Sequence, residues 1–167
     1  MHIPRRSRHV LLAIVVTAVL AALVVVFVIV PGRSPRLVEF TSQTDGFRSL
    51  IPEGWQPSDM SPLIYTGDGD TPTLTQLFLP NTTVEARMTE MAASFAADSY
   101  PPPVETIQVN GLSWQRFQIS VGGILYDLAL AEHKGGLFNI QLTSLPDERD
   151  AAFNTIFLPV LQAFQPL

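Results

Sequence analysis

Beyond residue 30 the chain offers one histidine, His133, and no cysteine anywhere. A Ser-His-Asp relay would have to use His133, which falls in the turn-forming run His133-Lys134-Gly135-Gly136, and no G-x-S-x-G elbow supplies a nucleophile. Zinc needs further histidine or cysteine ligands, which this stretch lacks. Asp68 and Asp70 flank Gly69 and could give calcium two carboxylates. An EF-hand loop needs more oxygens and a distal glutamate, whereas Thr71-Pro72-Thr73 already starts a strand, so the run reads as a polar turn. Asp147, Glu148 and Asp150 crowd a helix start, where the positive end of the helix dipole accounts for them. Asp127 is the remaining carboxylate, with Asp68 and Asp70, that a hydrolase would draw on. Gly122-Gly123 and Gly135-Gly136 lie between strands, so neither forms a phosphate loop. The reading is therefore no catalytic residue, no metal ligand and no cofactor. Trp55 and Trp114 are left as candidate contacts to a ligand or partner. Trp55 also reads as a core anchor after the Pro-Glu-Gly turn.

The elements around these residues follow from periodicity. Val38 and Phe40 alternate with Glu39 and Thr41, then Thr44-Asp45-Gly46 turns the chain into Phe47, Ser49 and Ile51, a hairpin signal. After PEGWQP come short strands over 63–66 and 73–79. Val84, Met88, Met91 and Phe95 recur at helical spacing within 83–98, with Thr82 and Glu85 as a capping box and Pro101-Pro102-Pro103 as the stop. A meander follows: Thr106 to Val109, the Asn110-Gly111 turn, Leu112 to Val121, Ile124 to Glu132, and Leu137 to Ser144. Apolar positions in 112–121 change phase near Gln115-Arg116, which predicts a bulge or a strand buried on both faces. Phe153, Ile156, Phe157, Val160, Leu161 and Phe164 form the apolar stripe of a closing helix, in which Pro159 should kink the axis and free the Thr155 carbonyl. Leu74 and Phe78 oppose Leu77 and Leu79, so the sheet is expected to be covered on both sides.

Ahead of this domain, residues 10–30 form 21 residues with one polar side chain, Thr17, and no charge. Such a run is long enough for a helix crossing a bilayer and longer than the hydrophobic part of a signal peptide. No A-x-A site ends it, so it reads as an uncleaved single-pass anchor. The expected organisation is a short basic head (1–9) in the cytoplasm, a transmembrane helix (10–30), a linker (31–36) and an extracytoplasmic domain (37–167). Seven basic and fifteen acidic residues follow the span, a net of −8. That balance argues against nucleic acid and against anionic headgroups as a docking surface.

The segment FTSQTDGFRSLIPEGWQP resembles the opening of PsbP-like domains, with an aromatic strand, a D-G turn, a second strand and Pro-x-Gly-Trp. VNGLSWQRFQIS, the pair GILYDLALAEHKGGLFNIQLTS and the terminal FNTIFLPVLQAF are similar to that family's final hairpins and closing helix, in the same order over residues 38–164. The resemblance implies an α+β fold, an antiparallel sheet between helices in an α/β/α sandwich. It also implies an accessory or binding role without a shared active site. The chain departs from the family's photosystem subunit in carrying its own anchor and in lacking a basic or metal-binding tail. Together these readings lead to a membrane-anchored accessory protein docking to another membrane protein, a membrane complex or an envelope component. A small-ligand module with a cavity between sheet and helix is the alternative, and a carboxylate-dependent hydrolase the least favoured.

Overall fold

The computed structural model of the protein describes residues 35–58, 61–67 and 71–167. The head, the apolar run 10–30, the linker up to residue 34, and Asp68 and Asp70 lie outside them. Among the described residues no helix is long and apolar enough to cross a membrane.

Among the described residues ten strands and two helical regions run in chain order. They are β1 (Leu37–Ser42), β2 (Phe47–Pro52), β3 (Gln56–Ser58), β4 (Ser61–Thr66), β5 (Thr73–Pro80), α1 (Val84–Ser94), β6 (Glu105–Val109), β7 (Leu112–Val121), β8 (Ile124–His133) and β9 (Gly136–Ser144). The closing helical region joins α2 (Arg149–Ala152), a π-helical turn (Phe153–Phe157) and α3 (Leu158–Ala163), before β10 (Gln165–Pro166). All pairings are antiparallel. Seven strands form the main sheet in the order β3-β4-β5-β9-β8-β7-β6, and β1-β2-β10 form a small separate sheet. The hairpin therefore lies against the main sheet as part of a covering layer.

Two hydrophobic clusters fill the two faces. On one, Phe47 of β2 and the closing residues Ile156, Phe157, Val160, Leu161 and Phe164 pack on Leu74, Trp114, Ala129, Phe138, Ile140 and Leu142. Phe164 sits at the centre of an aromatic knot, with ring centroids 4.9 Å from Phe47, 5.0 Å from Trp114 and 4.9 Å from Phe138. On the other, Val84, Met88 and Met91 of α1 pack on Phe117, Leu128, Leu130 and Leu137. The sandwich of helices about an antiparallel sheet is thus present, with the small sheet sharing one outer layer with the closing helix.

Several local expectations are corrected. Helix α1 is capped by Thr83, whose hydroxyl accepts from the Ala86 N–H at 3.2 Å, while Thr82 donates instead to the Pro80 carbonyl. The helix ends at Phe95, followed by Ala96 at φ 53°, so a left-handed residue stops it before the triple proline is reached. Pro159 lies within the continuous helical run over 149–163, and the regular ladder changes just ahead of it. The π turn places the Leu158 N–H on the Phe153 carbonyl, five residues back, so the wider turn meets Pro159 at the start of α3. The phase change in β7 involves no bulge, because its register with β6 and β8 is continuous. Leu112 and Trp114 face the closing helix, while Phe117 and Ile119 face α1. The pattern changes where one covering helix ends and the other begins.

Candidate functional site

The carboxylates singled out by sequence do not converge. Asp127, almost fully buried on β8, accepts from Arg149 Nε at 3.0 Å and Nη2 at 2.8 Å, a fork that uses both its oxygens. The Asp127 hydrogen bond, opposed by burial and aided by the charge of Asp127, holds the Arg149 guanidinium above its ordinary range. Asp150 accepts from Arg149 Nη1 at 3.0 Å, and Glu148 accepts from the Thr71 hydroxyl at 3.1 Å. These acids anchor the closing helix. Arg149 and Arg116 also lie 4.3 and 4.5 Å from the centroid of the Phe153 ring, pinning it to the sheet. His133 ends β8 rather than occupying the turn, and its ring lies 5.6 Å from that of Phe138. No group of three or more His, Asp or Glu side chains suited to a metal occurs among the described residues.

The two tryptophans separate. Trp114 is fully buried with 0 % exposure, so its candidacy as a contact is corrected: the indole is core, edge-on to Phe164. Trp55 is half-buried against the same core. Its indole nitrogen lies 3.0 Å from where a Cβ would stand on Gly67, so the glycine lets the loop close over the ring. Neither lines a hollow among those described below.

The surface is open elsewhere, along β7. Asn110-Gly111 and Gly122-Gly123, all at positive φ, are two-residue turns flanking this strand. Such turns close on hydrogen-bonded pairs, here Val109 with Leu112 and Val121 with Ile124, and hydrogen-bonding pairs recur every second residue. Odd-numbered β7 residues from Gln115 onward therefore bond to β8, and even-numbered ones point toward the β6 side. Strand β6 reaches back only to Glu105, opposite Arg116, with one further bond from the Val104 N–H to the Arg116 carbonyl at 2.8 Å. That bond sets Val104 and Glu105 together opposite Arg116, a bulge beyond which the chain would bring Pro102 against Gln118 and Tyr100 against Ser120. The position opposite Gln118 requires an N–H that proline does not have, so the ladder stops there. The backbone N–H and C=O groups of Gln118 and Ser120 are consequently left without a strand partner, and both residues are exposed.

Beside this edge lies a groove of about 590 Å³, lined by Phe95, Tyr100 and Pro101 on one wall and Gln118, Ile119 and Ser120 on the other. An adjoining hollow of about 340 Å³ shares Ala97 and Tyr100 with it and is bordered by Asp98. A third hollow, about 510 Å³, sits where Asn81 and Thr83 meet Glu132 and Lys134. There the Glu132 carboxylate already accepts from the Val84 N–H at 3.0 Å.

No family model and no curated protein matches the sequence. Solved structures do. The solution structure of cyanobacterial PsbP (CyanoP) from Synechocystis sp. PCC 6803 superposes with a TM-score of 0.56 at 16% identity, over 83% of this chain and 96% of that one. The domain has a PsbP-like fold. The Ran-binding protein Mog1p of Saccharomyces cerevisiae shares the architecture with a TM-score of 0.52 at 9% identity, over 79% of this chain and 96% of that one. At such identities the likeness concerns backbone architecture, and the open β7 edge is read from this chain's own register. Sequence reasoning passed over Gln118, Ser120 and the triple proline as a site. The signal was present, since counting back from Asn110-Gly111 brings the triple proline level with Gln118.

Proposed function

We propose that this chain is a membrane-anchored accessory protein whose PsbP-like domain docks a protein partner, a membrane complex or an envelope component, outside the cytoplasm. The observation that carries this reading is the unpaired edge of β7 beside an uncharged groove. An edge of this kind is a template for protein backbone, which natural domains cover or block unless it is used. Anchoring and orientation rest on the apolar run 10–30 and the short basic head. Binding in place of catalysis fits the commitment of both Asp127 oxygens to Arg149. Mog1p, of the same architecture, is named for binding Ran, so such a domain can present a surface to another protein.

The test is purification of the full-length chain in mild detergent from cells expressing it at native level. A companion retained at fixed stoichiometry is the expected result. A lone chain recovered from the membrane fraction, or a chain found wholly outside that fraction, overturns the proposal.

A further inference from the structure

We infer that the open edge of β7 takes up an extended segment of the partner protein by strand addition, with one apolar side chain seated in the groove beside Ile119. The inference rests on the docking reading above and specifies its chemistry. Gln118 and Ser120 present two N–H and two C=O groups at strand spacing, a pattern that only another extended backbone satisfies in full. In the added strand, the residue opposite Ile119 projects to the α1 face, where Phe95, Tyr100 and Ile119 line about 590 Å³. Its two neighbours, opposite Gln118 and Ser120, project to the other face, which the closing helix leaves exposed at these positions. The segment recognised is therefore polar–apolar–polar.

Charge selects among occupants. No charged residue lines the groove, and Asp98, exposed at the adjoining hollow, is the one charged residue among the described residues lining either. The sequence beyond the span carries a net of −8, so a second copy brings repulsion, whereas a segment with a basic residue beside its apolar one meets Asp98 favourably. The prolines at 101–103, with Pro102 at the first pairing position, maintain the vacancy, because the chain's own β6 cannot extend into it.

The test uses the full-length chain in detergent and a synthetic nonapeptide of alternating threonine and valine flanked by lysine. Its readout is hydrogen exchange at the Gln118 and Ser120 amides. Saturating peptide is expected to slow exchange at both at least tenfold. N-methylation of the peptide at the residue facing Ser120 should weaken binding at least tenfold. So should Ser120→Pro, whose lost N–H belongs to no ladder within the sheet. Flanking glutamate in place of lysine should weaken binding about threefold, and Asp98→Lys should reverse that order. Equal binding of the N-methylated and parent peptides, or unchanged exchange with every peptide, overturns the inference. Protection without peptide also overturns it, indicating a second copy if it grows with protein concentration and the chain's own segment if it does not. A companion co-purified equally by wild type and Ser120→Pro sinks strand addition while leaving the docking reading standing. Absence of any companion sinks the docking reading itself.

Discussion

On the hairpin side of the main sheet, Phe47, Trp114, Phe138 and Phe164 interlock beneath the closing helix, whereas on the other side α1 meets the sheet through Val84, Met88 and Met91. The first side is also cross-tied. Ser49 donates to the Val160 carbonyl at 3.2 Å, Gln76 Nε2 donates to the Leu50 carbonyl at 2.8 Å, and Arg149 grips Asp127. The α1 side has fewer such ties, although Glu132 holds the start of the helix. Aromatic rings lock geometry, while methionine adapts to irregular space. One face thus fixes the fold, and the other, whose helix ends at Phe95, leaves room beside β7 for a visitor.

This contrast can be broken by substitution. Trp114→Ala should cost about 3–5 kcal/mol, read as a lower denaturant midpoint at unchanged slope. Asp127→Asn should cost about 3 kcal/mol, because Arg149 keeps its charge while losing its buried carboxylate. On the α1 side, Met88→Ala should cost about 2 kcal/mol, the low end for such truncations, as neighbouring side chains relax into the space. If Met88→Ala proves as damaging as Trp114→Ala, the two faces do not differ as described. Thr83→Ala, which removes the cap of α1, should cost about 1 kcal/mol by the same measurement.

The smallest effect is a dependence on pH. Burial, and secondarily the charge of Asp45, raise the Tyr65 phenol above its ordinary value of 10.0. The neutral phenol is thus favoured in the folded state. Its contribution is complete below the unfolded value and is lost as pH rises from about 10 through the higher folded value. Melting curves between pH 9 and 12 should show that loss, and Tyr65→Phe should flatten it.

Most elements were legible because each carried its own period or turn. The Asn110-Gly111 and Gly122-Gly123 turns set the meander, and the stripe from Phe153 to Phe164 marked the closing helix. What escaped was decided at longer range. The hairpin's exclusion from the main sheet depends on β10 returning from the far end of the chain to pair with β2. The Thr83 cap displaced Thr82 by one residue, a choice local preference does not resolve. The phase change at Gln115-Arg116 was visible, but its cause, a handover between two covering helices, required knowing where each helix ends. Trp114 carried no mark in sequence to separate a buried indole from an exposed one. The groove was legible in principle through register, and missed because prolines are read first as chain breakers.

The gap that the prolines at 101–103 hold open has a further consequence through its brevity. It is bounded by those prolines at one end and by the tight Gly122-Gly123 corner at the other, so an incoming ladder stops after Gln118 and Ser120. Fibril growth needs a long flat template that hands an equal one to the next chain. A slot only two pairing residues long admits a guest without offering polymerisation a runway, which lets a domain of this kind be crowded and stay discrete.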